Sequence, residues 1–249
     1  MLLLLPPSET KRDGGDGGAL DLGALAHPEL TATRRAVVRG VRQLSRNRDE
    51  AMKRLKLGPK LAFEIERNRA LATSPTMPAI DRYTGVLYEA LDAATLDAPA
   101  RDFAGRHVRI HSALFGLVGA LDPLPAYRLS HDSRLDGGSL KATWAGPLSA
   151  ALEAHRGELV LDLRSEAYVH LGPVPAGHPS SYFVRVVSAG PDGVKRALNH
   201  FNKKGKGEFV RAVVQNGVDF ADVHELISWC ETSGRRLSLS DAGELVLEV

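Results

Sequence analysis

Residues 1–8 read Met-Leu-Leu-Leu-Leu-Pro-Pro-Ser, so four consecutive leucines stand directly before two prolines. A short apolar run that ends at prolines is typical of a buried β-strand. The run is too short for a secretory signal, and no basic segment precedes it. We therefore predict that the fold begins with a buried strand over residues 2–5 and that the protein is cytoplasmic.

The rest of the chain alternates between strand-like and helix-like patterns around this first strand. Strands are predicted at 79–83, 107–111, 159–163 and 182–187, with a closing hairpin from 237–239 and 245–249. Helices are predicted at 28–44, 49–57, 60–71, 85–91, 201–214 and 220–231, the first capped by Thr31 or Thr33. The elements follow no strict βαβ rhythm, which indicates a mixed α+β or α/β class.

Composition bounds the class of protein. The chain has 249 residues, of which 43% are hydrophobic and 25% charged, as in an ordinary globular protein. With one cysteine, Cys230, no internal disulfide can form, which favours a reducing compartment. No apolar run approaches the length needed to cross a bilayer, so no membrane partner is expected.

Charge is distributed unevenly along the chain. The formal net charge is +2, but residues 34–69 carry +8 and residues 195–211 carry +5, which leaves −11 for the remainder. Two basic segments on an acidic body are typical of a protein that binds a polyanion. The alternative is that each segment is a solvated helix face.

Residues 52–65 have the layout of a helix–hairpin–helix, in which Gly58 lies in the hairpin. Such a hairpin turns backbone N–H groups toward a phosphate, and the next helix adds its dipole. The cations that would accompany it are Lys53, Arg54, Lys56 and Lys60. The usual second hairpin glycine is replaced by Lys60, so an ordinary helical hairpin remains the alternative.

Residues 201–212 form a second basic element, with three lysines and two glycines at the start of a predicted helix. Gly205 and Gly207 are expected to let the backbone approach an anion that the lysines neutralise. The cations are Lys203, Lys204, Lys206 and Arg211. No Walker spacing is present, and a flexible basic loop is the alternative.

Three predicted strands end at or just before a serine: Ser8, Ser112 and Ser165. Ligands of α/β sheets collect at the carboxyl ends of strands, so these hydroxyls could share a pocket with Lys11 and Arg128. Each serine could equally be a helix N-cap. No Gly-Xaa-Ser-Xaa-Gly elbow surrounds them, which argues against a hydrolase nucleophile. The nine histidines show no metal-ligand spacing, so neither a metal site nor a cofactor is expected.

Several short motifs, taken in order, resemble one bacterial family. They are Ser8-Glu9-Thr10-Lys11, Thr84-Gly85-Val86-Leu87-Tyr88, Ser112-Ala113-Leu114-Phe115-Gly116, Ala120-Leu121-Asp122-Pro123, Ala126-Tyr127-Arg128-Leu129, Trp144, Asp162-Leu163-Arg164-Ser165-Glu166-Ala167-Tyr168 and His200-Phe201-Asn202-Lys203-Lys204-Gly205-Lys206-Gly207. In order and spacing they resemble the YaaA family of peroxide-stress proteins over nearly the whole chain.

This resemblance implies a single compact α+β domain over residues 1–249, a mixed β-sheet surrounded by helices. It implies a positively charged cleft and a helix–hairpin–helix-like element at 49–71. The implied activity is binding of double-stranded DNA and limitation of iron-driven damage under hydrogen peroxide. The phosphate contacts would be Lys53, Arg54, Lys56, Gly58, Lys60, Lys203, Lys204, Lys206 and Arg211.

Two other functions remain open. The first is an enzyme that acts on a nucleobase, nucleoside or nucleic acid in a pocket at the strand ends. Its pocket would contain Ser8, Lys11, Tyr88, Ser112, Tyr127, Arg128, Ser165 and Lys204. The second is a protein-interaction or iron-sequestering role, although the lack of metal-ligand spacing argues against direct sequestration.

Overall fold

The leucine run at the amino terminus forms an interior strand of the main β-sheet. The computed structural model describes residues 1–189, 195–196 and 199–249, and side chains are described outside 189–201. The strands are β1 (Leu2–Leu5), β2 (Met77–Pro78), β3 (Val108–Ser112), β4 (Gly116–Gly119), β5 (Pro123–Leu124), β6 (Arg134–Leu135), β7 (Gly138–Ser139), β8 (Val160–Asp162), β9 (Ser181–Ala189), β10 (Lys195–Arg196), β11 (Arg236–Leu239) and β12 (Leu245–Glu248).

Helices surround this sheet. The α-helices are α1 (Thr31–Leu44), α2 (Arg48–Arg54), α3 (Phe63–Arg69), α4 (Ala79–Arg82), α5 (Val86–Leu91), α6 (Ala98–His107), α7 (Leu140–Glu153), α8 (Glu166–Leu171), α9 (Asn199–Asn216) and α10 (Val223–Thr232). Short 3₁₀ turns occupy Pro28–Leu30, Pro59–Leu61 and Ala93–Thr95. None of the helices within the described ranges is long and apolar enough to cross a membrane.

The main sheet has the strand order β11-β12-β9-β8-β1-β3-β4, with β10 paired to β9 outside this path. The five strands from β12 to β3 run parallel, whereas β4 and β11 are antiparallel edges. Leu3 pairs with Val108 of β3 on one side and with Leu161 of β8 on the other. All four residues of β1 are buried, as expected of a parallel strand covered on both faces. The predicted α+β class is confirmed.

The predicted strand at 79–83 is wrong, because Ala79–Arg82 forms helix α4. Ala79, Ile80 and Tyr83 are buried, and their spacing is that of one face of a short helix. The extended Pro78 ends β2 and precedes this helix. The predicted cap of α1 is also wrong, since the residue before the helix is Leu30, which makes no side-chain cap. The 3₁₀ turn that precedes α1 takes the place of a capping threonine.

The proposed hairpin element consists of α2, a turn, the Pro59–Leu61 3₁₀ turn and α3. Asn47 caps α2 by accepting a hydrogen bond from the backbone N–H of Glu50 at 3.1 Å. Lys56 adopts a left-handed conformation with φ 54°, and Gly58 is extended with φ −74°. The predicted helices at 49–57 and 60–71 are therefore shorter, and the helix–hairpin–helix assignment stays a prediction.

Candidate functional site

A cavity of about 810 Å³ opens where β1 and β8 end. It lies between the loop after β1, the start of α5, the segment after β8 and the middle of β9, and α9 closes one side. The lining comprises residues 6–10, 84–88, 129–131 and 163–168 with Phe183, Arg185, Asn202, Lys203 and Lys206. Its position at the carboxyl ends of parallel strands is where α/β sheets usually bind ligands.

Three residues of the sequence-predicted pocket line this cavity: Ser8, Tyr88 and Ser165. The Tyr88 hydroxyl donates to the carbonyl of Pro6 at 2.7 Å, which fastens α5 to the loop after β1. Ser165 precedes α8 but makes no side-chain cap, and its side chain is exposed to the cavity region. Lys204, the eighth residue of that predicted pocket, is exposed on α9 and lies 3.3 Å from Glu208, outside the cavity lining.

Lys11, Ser112 and Tyr127 form a buried layer beside the cavity. The Tyr127 hydroxyl lies 2.7 Å from both the Ser112 hydroxyl and the Tyr83 hydroxyl. Ser112 also accepts two backbone N–H groups, so its own proton is directed at Tyr127. The Lys11 amine donates to the carbonyls of Ser8 and Glu9 and lies 4.1 Å from the Tyr127 ring centroid. Burial lowers the pKa of Lys11 to about 7. These groups shape the loop that forms the cavity wall.

Arg128 does not line the cavity, but its guanidinium pairs with the carboxylate of Glu9, which does. The Ser130 hydroxyl donates to the same carboxylate at 2.9 Å. The backbone of Arg128 is held by Asn68, which exchanges two hydrogen bonds of 2.8 Å with it. Arg128 therefore links the loop after β1 to α3 and the proposed hairpin element.

A buried ionic cluster behind the cavity was not anticipated from the sequence. Arg164 is fully buried and donates through Nε and Nη2 to the two carboxylate oxygens of Asp162, at 2.8 and 2.6 Å. Its Nη1 donates to His111 Nδ1 at 3.0 Å and to the carbonyl of Gly172 at 2.7 Å. Burial and the charge of Arg164 hold the pKa of His111 well below its usual range, so the imidazole is neutral.

Lys206 lies in α9, and its side chain is buried. Its amine donates to the carbonyl of Leu163 at 2.9 Å and to that of Arg164 at 3.3 Å, and lies 5.1 Å from the Phe183 ring centroid. Burial lowers its pKa to about 8, although the negative charge of Asp162 opposes the shift. The sequence placed Lys206 among the phosphate contacts, and the structure places it in the cavity wall.

The other predicted phosphate contacts differ in their exposure and in the partners that their side chains already have. Lys53, Lys60 and Lys203 are exposed, and Lys204 is exposed as well but its amine lies 3.3 Å from the Glu208 carboxylate. Lys56 is exposed and pairs with Asp132 at 2.5 Å, while Arg54 pairs with Glu50 and Asp136. Arg211 donates to the carbonyls of Leu91 and Asp92, both at 2.8 Å, and thereby holds the end of α5. In the basic segment 195–211, the side chains of 195–201 lie outside the described residues.

A second cavity of about 490 Å³ lies next to the first, since His131 lines both. Its basic side chains are Lys56, Arg134 and Lys141, and its acidic one is Asp132. Lys56, from the turn of the proposed hairpin element, lines this second cavity, and His131 is the residue that it shares with the strand-end cavity.

The prediction that Gly205 and Gly207 let the backbone approach an anion is wrong. Both lie inside α9, where they permit close packing. A Cβ at position 207 would lie 2.2 Å from the carbonyl oxygen of Leu87 in α5, and one at position 205 would lie 2.7 Å from Val249. The glycines are therefore required by neighbouring protein atoms.

Metal ligation finds no support at this site. Across residues 1–189, 195–196 and 199–249, no group of three or more His, Cys, Asp or Glu side chains is arranged to hold a metal ion. His131, which lines both cavities, has Asp132 as its carboxylate neighbour at 3.9 Å.

The fold and the cavity define an α+β protein with a polar cleft at the carboxyl ends of its parallel strands. A family model described as peroxide stress protein YaaA matches residues 1–235, and the chain belongs to this family. A UPF0246 protein of Corynebacterium glutamicum (strain R) is 43% identical over 239 residues, which cover 94% of this chain and 93% of the relative. One of Corynebacterium efficiens is 40% identical over 246 residues, 97% and 96% of the two chains. One of Streptomyces coelicolor is 41% identical over 222 residues, 87% and 84%.

Cys230 is unsuited to direct peroxide sensing, although the family is named for peroxide stress. It lies in α10, fully buried, and burial raises the pKa of its thiol to about 11. Peroxide reacts with the thiolate, so we expect the native thiol to react with hydrogen peroxide at least ~10-fold more slowly than the thiol of the denatured chain. Thiol titration after timed peroxide exposure measures both rates. Equal rates in the native and denatured protein would show that Cys230 is accessible and would contradict this expectation.

Proposed function

We propose that this protein is a DNA-binding protein of the peroxide-stress response, acting in the cytoplasm and contacting duplex phosphates through a basic cleft. The observation that carries the proposal is the set of cations that line two adjacent cavities, which share His131. The second cavity is lined by Lys56, Arg134 and Lys141, and the strand-end cavity is lined by Lys203. A row of cations along a groove is the electrostatic pattern that follows a nucleic-acid backbone.

The hairpin element would supply the outer phosphate contacts. Lys53, Lys56 and Lys60 are all exposed around its turn, and Gly58 is an exposed position without a side chain to obstruct a strand. Lys203 and Lys204 would extend the contacts along α9. Contacts of this kind position a duplex without reading its sequence, so binding should be general for duplex DNA.

Such binding offers a physical route to limiting iron-driven damage. Duplex DNA holds a condensed layer of counterions, and each lysine that neutralises a phosphate releases some of them. Ferrous ions bound at those phosphates would be displaced together with the others. Damage by peroxide would then fall because the iron is no longer held against the sugar and bases.

Changing the three exposed lysines of the hairpin element to glutamine should weaken DNA binding and its salt dependence together. For Lys53→Gln, Lys56→Gln and Lys60→Gln combined, we expect the slope of log affinity against log salt to fall in magnitude by roughly 2.7, about 0.9 for each lost phosphate contact. Filter binding to a duplex over a salt series measures the slope.

Arg236→Gln provides the matched control for this charge loss. Arg236 is 84% exposed on the edge strand β11 and lines neither cavity. Its loss should leave the slope unchanged. If the triple variant and the control have the same slope, the hairpin element does not contact phosphates. If the unaltered protein shows almost no salt dependence, phosphate contact as a whole is excluded.

The second candidate function is an enzyme that acts on a nucleobase, nucleoside or nucleic acid. The strand-end cavity favours it, because simple duplex binding requires a basic surface and no enclosed space. Ser8, Ser165 and Tyr168 give this cavity polar and aromatic walls, and Lys206 gives it a buried amine. The most direct test of this second function concerns the reactivity of the Lys206 amine.

A further inference from the structure

Lys206 is an unusual lysine because it is buried in the wall of a cavity without an ion pair. Only 5% of the residue is exposed, and within the described part of the chain no carboxylate is in ion-pair contact with its amine. Buried lysines are normally paired, since an isolated ammonium is costly to remove from water. A lysine that breaks this rule at a cavity is a candidate for chemistry that uses the neutral amine.

The hydrogen bonds of Lys206 can all be made by a neutral amine. A neutral primary amine has two N–H donors and one lone pair, whereas an ammonium has three donors. Two backbone carbonyls, of Leu163 and Arg164, accept from Nζ. When both N–H groups are used in this way, the lone pair remains for a partner in the cavity. The two carbonyls thereby hold the amine in place as well as consuming its donors.

The charges around Lys206 act in both directions on its protonation. Asp162 and Glu166 favour the ammonium, while burial and Arg185 favour the neutral amine, and the resulting pKa is about 8. At pH 7 about one-tenth of the protein would then carry a neutral amine at this position. That is the usual requirement for a lysine that attacks a carbonyl carbon.

We propose that Nζ of Lys206 forms a Schiff base with the aldehyde carbon of an open-chain sugar phosphate held in the strand-end cavity. Lys203 lines the same cavity, on the turn of α9 that precedes Lys206, and supplies a cation for the phosphate. The faces of Tyr168 and Phe183 line it as well and suit the carbon skeleton of a sugar. A volume of about 810 Å³ is ample for such a ligand.

The covalent step is balanced without any further reactant. The amine lone pair attacks the aldehyde carbon, the C=O π bond breaks, and one proton passes from the nitrogen to the oxygen to give a carbinolamine. Loss of one water molecule then forms the C=N bond, and the same water reverses the reaction. No oxidation or reduction occurs in this step.

Two sources could present this aldehyde: an abasic site in DNA, or a free sugar phosphate. The first rests on the proposed DNA binding and the second does not. The test therefore uses both a duplex with one abasic site and free 2-deoxyribose 5-phosphate, each incubated with the protein and cyanoborohydride. Reduction converts the imine into a stable secondary amine, which intact-mass measurement counts and peptide mapping locates.

We expect a single adduct at Lys206 with at least one of the two probes. Peptide mapping of the unaltered protein identifies the modified lysine directly, so the result does not depend on any variant folding. Lys206→Arg should abolish the adduct, because arginine keeps the charge and the donors but is not a nucleophile. Arg236→Lys, which adds an exposed lysine outside both cavities, should leave the adduct unchanged. Adduct formation should increase roughly tenfold for each pH unit up to about 8, since only the neutral amine attacks.

The possible outcomes separate the two proposals. An adduct with free sugar phosphate, together with salt-independent or absent duplex binding, would support the nucleophile and refute the DNA-binding proposal. Salt-dependent duplex binding with no adduct from either probe would support the DNA-binding proposal and refute the Lys206 nucleophile. Adducts spread over exposed lysines, with Lys206 unmodified, would also overturn the nucleophile proposal. A reduced abasic analogue, which has no aldehyde, should give no adduct in any case.

Discussion

Asp162→Asn should lower the free energy of unfolding by about 3–5 kcal/mol, one of the largest single effects expected in this protein. The carboxylate of Asp162 accepts two hydrogen bonds from the guanidinium of Arg164, which is fully buried. An asparagine of nearly equal size keeps the shape but removes the charge, and its NH₂ group faces another donor. Arg164 is then left as a buried cation without its counter-charge. Urea denaturation of the variant and the unaltered protein measures the difference.

Glu153→Gln is the matched control, because it also neutralises the acidic partner of an arginine. Glu153 and Arg156 form an ion pair of 2.7 Å whose side chains are 45% and 49% exposed. Exposed pairs contribute little, so the change should cost less than about 1 kcal/mol. Similar losses for Asp162→Asn and Glu153→Gln would mean that water reaches the Asp162–Arg164 pair and that the buried cluster is incorrectly described.

A second variant separates the lost attraction from the orphaned charge. Arg164→Met combined with Asp162→Asn removes both ionic groups, so no unpaired cation remains. This double variant should be less destabilised than Asp162→Asn alone, because most of the penalty lies in the uncompensated guanidinium. His111 provides a further observable, since the charge of Arg164 contributes to its lowered pKa. NMR titration of His111 in the double variant should therefore show the pKa moving upward.

Much of the sheet could be predicted from the sequence, because each strand carries its signal in its own residues. Four consecutive leucines bury both faces of one strand, so β1 could be recognised from composition alone. The alternation in β9 and the turn between β11 and β12 are likewise local signals. The neighbours of β1 could not be derived in this way, because β3 and β8 pair with it from more than 100 residues away.

The site was predicted in part, and two of the misses, Ser112 and Tyr127, share one cause. Ser8, Tyr88 and Ser165 were placed in a common pocket because strand ends collect at one edge of a sheet, and they do line one cavity. Ser112 and Tyr127 lie in the buried layer behind it, since a strand-end hydroxyl can point into the core as readily as into a cleft. Periodicity alone does not distinguish those two directions.

Lys206 illustrates a signal that was present but misinterpreted. It stands between Gly205 and Gly207, which are predicted from the sequence to let the backbone approach an anion. In a helix, glycines mark a face that packs closely against a neighbour. A lysine that lies between two such glycines is directed inward, whereas Lys203 and Lys204 are exposed. The glycine spacing could therefore have separated the buried lysine from the exposed ones.

Gly207→Ala should destabilise the protein by about 1–3 kcal/mol, although alanine is the better helix former. The added methyl group would lie 2.2 Å from the carbonyl oxygen of Leu87 and 2.8 Å from the Ala90 side chain. Because the first of these atoms belongs to the backbone of α5, no side-chain rotation can relieve the contact. Helices α5 and α9 must separate. Thermal or urea unfolding measures the loss.

Gly40→Ala is the control that isolates this packing effect from helix propensity. Gly40 lies inside α1, and a Cβ there would meet Leu135 at 3.4 Å, an ordinary contact. This variant should gain up to about 1 kcal/mol from propensity alone. The two substitutions are chemically identical, so the opposite signs of their effects can arise only from the surroundings. If Gly207→Ala also stabilised the protein, α5 and α9 could not be in close contact, and the cavity wall that α5 contributes through Val86, Leu87 and Tyr88 would have to lie elsewhere.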